Sequence, residues 1–155
     1  MGLLRNLKLW ISPPQITDPN FGKLTFMHID KHPERSYWEC NWNFPPTSTV
    51  VFITLPGGEN GPTNEARQFY LGLPARYDFI LTLCRSKLEQ VFREWRSHQL
   101  PQDVFTVVRL SGFEVEDPNQ QPLQWNVNFE TTDDDWLGIT IPFVGDMPEE
   151  PKVDT

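Results

Sequence analysis

Residues 63–98 read TNEARQFYLGLPARYDFILTLCRSKLEQVFREWRSH, and Ala66, Phe69, Tyr70, Leu73, Tyr77, Ile80, Leu81, Cys84, Leu88, Val91, Phe92 and Trp95 recur at helical spacing within them. That spacing lays one apolar stripe along an α-helix. Thr63 or Asn64 can cap its start and Glu65 complements the positive end of its dipole; Arg96 and His98 suit the negative end, before Leu100 and Pro101 stop it. Gly72 and Pro74 interrupt the pattern, because an internal proline deletes one backbone hydrogen bond and clashes with the carbonyl four residues back. A kink or a restart is expected near Leu73. The change of register would account for Leu71 and Phe79, which lie off the stripe.

Outward from this helix the hydrophobic period falls to two. In 37–44, Trp38, Cys40, Trp42 and Phe44 alternate with Tyr37, Glu39, Asn41 and Asn43, which predicts a strand with one dry and one wet face. Residues 49–55, TVVFITL, are an almost unbroken β-branched and apolar run, the pattern of a central strand covered on both faces. Leu24, Phe26 and His28 alternate with Thr25, Met27 and Ile29 and predict an earlier strand in a hairpin. Beyond the helix, 104–115 reads as a strand that bends or bulges at Gly112. Leu123, Trp125, Val127 and Phe129, then Leu137, Ile139, Ile141 and Phe143, form two inward rows that should pair as an antiparallel hairpin. Residues 3–11 are a short apolar segment, expected as an edge strand. The predicted architecture is α+β: an antiparallel sheet of about six strands with the 63–98 helical segment packed on one face. One domain spans 1–145. The acidic residues 146–155 are expected to form a flexible tail, since their apolar surface is too small to offset the entropy of ordering them.

A chain of 155 residues fits one domain, and its 38% hydrophobic content supplies a core. The net charge of −8 disfavours nucleic acid or an anionic membrane as partner. It is unevenly spread: residues 1–100 carry 11 Lys+Arg against 9 Asp+Glu, and residues 101–155 carry 2 against 12. A basic partner would be steered to the C-terminal third. Arg5 and Lys8 break the first apolar run, so it does not read as a signal peptide, and no stretch approaches the roughly 18 apolar residues of a membrane span. A cytoplasmic location is the expectation. Cys40 and Cys84 sit at core-facing positions, far apart in sequence, and read as buried thiols.

Groupings that carry chemistry are weak. Gly57, Gly58 and Gly61 lie between a strand and a helix, but the third glycine is followed by Pro62, which matches neither phosphate-binding fingerprint and predicts a structural turn. His28, His32 and His98 have neither the spacing nor the cysteine neighbours of a zinc site. Asn41 and Asn43, with Asn126, Asn128 and Glu130, would make a polar amide patch if their strands were neighbours. Asp133, Asp134 and Asp135 would join Glu114, Glu116 and Asp117 in one acidic patch if their two turns lay at the same end of the sheet. The patch lacks the ligand order of a calcium loop, and no catalytic, cofactor-binding or metal-binding residue is assigned.

The fragments Phe21-Gly22-x-Leu24, Ser36-Tyr37-Trp38-Glu39, Phe44-Pro45-Pro46-Thr47, Gly61-Pro62-Thr63 ahead of Arg76-Tyr77, and the run WLGITIPF at 136–143 occur together. In this combination, over about residues 20–145, the chain resembles a family of small bacterial α+β domains of unknown function, some of which look like immunity proteins of toxin systems. The resemblance implies the fold and supplies no catalytic residues. The expected function is a non-enzymatic protein-binding domain, immunity-like, that neutralises a toxin through the acidic surface Glu114, Glu116, Asp117, Asp133, Asp134 and Asp135. The expected partner is a protein with a basic surface. Two alternatives stand beside it: a small enzyme with a carboxylate-based site in the C-terminal turns, and a regulatory or structural domain.

Overall fold

In the computed structural model, which describes residues 2–155, the chain begins with α1 (Gly2–Ile11), β1 (Gln15–Asp18), β2 (Gly22–Met27), β3 (Tyr37–Phe44), β4 (Thr49–Gly58) and β5 (Gly61–Pro62). It continues through α2 (Asn64–Trp95), β6 (Val108–Val115), β7 (Gln124–Thr131), β8 (Gly138–Val144), β9 (Met147–Pro148) and β10 (Lys152–Asp154). The fold is α+β, with two helices and a 10-stranded sheet ordered β1-β2-β3-β4-β6-β7-β8-β10, β5 pairing with β4 and β9 with β8. That is more strands than the six read from the sequence. Every pairing is antiparallel except β4 with β6, which are parallel because α2 carries the chain back to the same end of the sheet.

The 63–98 stripe forms α2, 32 residues long, and the Thr63 hydroxyl caps it by accepting from the Ala66 N–H at 3.1 Å. It runs through Pro74 without restarting. The lost backbone bond is offset by the burial of Tyr70, Leu73 and Tyr77 on either side of the proline. With one register throughout, Leu71 and Phe79 face solvent instead of a shifted stripe. Trp95 corrects the sequence reading more sharply, since it is 49% exposed where Leu88 is 0%. A helix of 32 residues is about 48 Å long, against roughly 27 Å for a strand of 8, so its last turn has little sheet beneath it.

The core lies between α2 and one face of the sheet. Edge-to-face aromatic contacts join them, Phe44 with Tyr77 at 5.1 Å and Phe69 with Trp125 at 5.5 Å between ring centroids. Tyr70 does more than pack. Its hydroxyl donates to the Thr54 carbonyl at 2.7 Å and accepts from the Val115 N–H at 3.1 Å, fastening β4 to β6 where their ladder ends. Burial drives this phenol well above its ordinary pKa, so it stays a neutral donor. Tyr70→Phe would strand both backbone groups and is expected to cost about 1–3 kcal/mol in urea unfolding. A loss below about 0.5 kcal/mol would contradict the fastening role.

Three further expectations give way. Residues 3–11 form α1 and not an edge strand: their Leu, Arg and Lys favour helix, and only Ile11 is β-branched. The 146–155 tail is paired rather than loose, through Lys152↔Thr140 and Val153↔Ile139, so backbone hydrogen bonds to β8 add to the little apolar area that Val153 packs against the core. The β4 run is covered on one face only, leaving Val50 61% and Phe52 45% exposed on the open side. The expected bulge does occur in β6, between Leu110 and Gly112, and the β7–β8 hairpin pairs in the expected inward register, Trp125↔Phe143 and Phe129↔Ile139.

Candidate functional site

Because β7 is antiparallel to both its neighbours, the β6–β7 connection and the β7–β8 turn lie at opposite ends of an 8-residue strand, roughly 24 Å apart. The single acidic patch expected from the sequence is therefore two separate groups. Asp133 and Asp135 sit at the end reached by the α2 terminus, where the Arg96 guanidinium bonds both carboxylates, Asp133 at 3.2 Å, together with the Asp135 carbonyl. Arg96 is itself only 9% exposed, so these contacts anchor the helix end to the sheet. Asp134 points outward without an ion pair among the described residues.

Glu114, Glu116 and Asp117 share the other end and border an open groove of about 1050 Å³. The groove follows from topology. Parallel strands β4 and β6 end side by side there, and two connections rise beyond them: the β2–β3 link with its short helical turn Pro33–Arg35, and the 116–123 loop. The first wall is fixed by Ser36, whose hydroxyl accepts from the Ile29 N–H at 3.0 Å. In the second, the Asp117 carboxylate accepts from the Asn119 N–H at 3.0 Å and folds the loop back on itself. Tyr37, Phe52, Thr54 and Pro56 line the strand side.

The register sets the chemistry of this surface. Glu39, Thr54, Glu114 and Asn126 are cross-strand partners in one row, and Asn41, Phe52, Gly112 and Asn128 in the next. The β3 and β7 amides are thus separated by β4 and β6, and the expected continuous amide patch is split by the exposed Phe52 ring. Burial first, then the nearby charges of Glu39 and Glu114, raise the Tyr37 phenol above its ordinary pKa. Glu34, Glu114, Glu116 and Asp117 line the groove, and Arg35 alone among its lining residues is cationic, paired with Glu116 at 2.8 Å across the mouth. Glu114, Glu116 and Asp117 are all exposed.

Elsewhere the chain is occupied with structure. The Cys40 thiol donates to the Phe21 carbonyl at 3.0 Å, and burial raises it to about 11 and Cys84 to about 12, which keeps both protonated and unreactive at neutral pH. His28 and His32 sit beside Asp30 and Glu34, while His98 lies against the Phe92 ring, so the histidines do not converge. Among the described residues no group of three or more His, Cys, Asp and Glu could hold a metal. Gly57 and Gly58 pair with Pro62 and Gly61 in a β4–β5 hairpin, a turn rather than a phosphate cradle. A smaller hollow of about 260 Å³ lies between α2 and the 102–105 segment, and the guanidinium of Arg85 in its lining donates to the Pro101 and Gln102 carbonyls. Among the described residues no helix is long and apolar enough to cross a membrane. The groove was only half legible in the sequence: its acidic wall stood out, but Tyr37, Phe52 and Arg35 carry no local signal and are assembled by strand order. No family model, curated protein or solved structure matches the chain.

Proposed function

We propose that the chain is a non-enzymatic protein-binding domain that receives a basic segment of its partner in the groove between the 33–36 and 116–120 walls. One observation carries this reading: exposed carboxylates from two walls face a floor of Tyr37 and Phe52. Carboxylates left in water attract cations, whereas general acid–base work calls for one of them to be buried apart from the others. The aromatic floor adds a face for a guanidinium or ammonium to lie on. The resemblance to immunity-like domains fits this reading, with a toxin's basic surface as the segment bound. The acidic surface is then Glu114, Glu116 and Asp117. Asp133 and Asp135 drop out of it because Arg96 holds them.

A short arginine-rich peptide tests the groove. Combined Glu114→Gln, Glu116→Gln and Asp117→Asn is expected to weaken its binding by about tenfold at low salt. Combined Asp133→Asn, Asp134→Asn and Asp135→Asn, which removes the same formal charge, is expected to change it by about twofold or less. Equal losses in the two variants would mean that the peptide follows net charge alone, and the groove would no longer be the site.

A further inference from the structure

As a strand, residues 3–11 would have divided their apolar side chains between two faces. As a helix they gather them. At 100° per residue Leu3, Leu4, Leu7, Trp10 and Ile11 fall within one arc of α1, and all five lie in water, from 52% exposed at Leu7 to 84% at Leu3. Only Leu9, on the far side, is buried against the body. An exposed apolar arc of this kind on a surface element marks a contact.

We propose that α1 is a peripheral anchor that lies flat in the interface of an anionic lipid surface, with Trp10 and the exposed leucines inserted and Lys8, which flanks the arc, at the headgroups. Charge decides between the possible occupants. The ionisable side chains of α1 are Lys8, beside the arc, and Arg5, on the Leu9 side and paired with Glu59 at 3.9 Å; α1 carries no acid, and residues 2–32 as a whole carry four Lys+Arg against two Asp+Glu. One of those two acids, Asp18, is 8% exposed and spent on Arg67. The sheet separates this end from the acidic third, since β1 and β2 form one edge while β6, β7, β8 and β10 occupy the other half. The whole-chain charge of −8 thus repels an anionic surface from one half and leaves the other free to approach it. Pairing of α1 with its copy through the arc would bring Lys8 to the seam with no helix acid to answer it. A bilayer of acidic lipid supplies both the apolar phase for the arc and the counter-charge for its flank.

Flotation of the full chain with vesicles tests this. Binding is expected to vesicles of phosphatidylcholine mixed with phosphatidylglycerol, to fall with added salt, and to be much weaker on phosphatidylcholine alone. Lys8→Ala should weaken it about fivefold. Leu7→Gln with Trp10→Gln should weaken it by more than about 100-fold, with the near-ultraviolet circular dichroism of the folded body retained. Equal binding to both vesicle types, or a double variant that floats as the wild type does, would overturn the proposal. So would a dimer in sedimentation equilibrium that the double variant dissolves, because the arc would then belong to a second copy.

Discussion

Leu88→Ala is expected to destabilise the protein by about 2–5 kcal/mol, while Trp95→Ala, seven residues on along the same sequence stripe, costs about 1 kcal/mol or less. Size alone argues the reverse, since tryptophan loses far more surface on truncation. Burial decides it. Leu88 is fully enclosed between α2 and the sheet, where its loss opens a cavity that close-packed neighbours fill only in part. Trp95 is 49% exposed at the last helical position, so water already takes up much of what the ring would leave. Urea midpoints for the two variants check the ranking. If Trp95→Ala proved the more damaging, α2 would have to sit differently on the sheet, and the assignment of its terminal turn would fail with it.

The contrast marks where sequence reasoning reaches and where it stops. A period of 3.6 over 63–98 identifies a helix and its inward side because both are local properties of the chain. How far the sheet extends beneath that helix is not local, and so spacing alone puts Trp95 in the core where the structure leaves it half exposed. Residues 3–11 show a second limit. A short run of leucines separated by polar residues satisfies both periods, and helix propensity, rather than pattern, settles it. The β9 and β10 strands show a third: with Met147 exposed and Val153 half-buried, they carry almost no hydrophobic signal, and their order comes from hydrogen bonds to β8.

The groove was partly visible for the same reason. Glu114, Glu116 and Asp117 are consecutive or nearly so, and composition finds them. Whether Asp133, Asp134 and Asp135 join them depends on which end of the sheet each connection occupies, and alternating hydrophobicity does not report it. An antiparallel β6–β7–β8 meander places successive connections at alternate ends. Once the β7–β8 hairpin is accepted, the division of the acidic residues into two groups follows from strand direction.

Gly112→Ala is expected to cost about 3 kcal/mol, the upper end of what overpacking does, although it adds one methyl group on the open side of the sheet. At Gly112 β6 resumes its pairing after the bulge and meets β4 in parallel register with Phe52. A Cβ built there lies 2.2 Å from the Phe52 carbonyl oxygen. That oxygen belongs to the backbone of a central strand and has no rotamer to escape into, so the two strands must move apart. Gly58→Ala is the matched control, because a Cβ there meets nothing within 4 Å, and it should change stability by about 0.5 kcal/mol or less. The two also differ at the groove. Separating β4 from β6 shifts Glu114 relative to Phe52, so Gly112→Ala should weaken the arginine-rich peptide even under conditions where the variant remains folded, whereas Leu88→Ala, equally destabilising from the other face, should leave binding by the folded fraction unchanged. A Gly112→Ala protein that unfolds at the wild-type urea concentration and binds the peptide as before would mean that the parallel contact between β4 and β6 is looser than its register indicates, and that the groove does not depend on it.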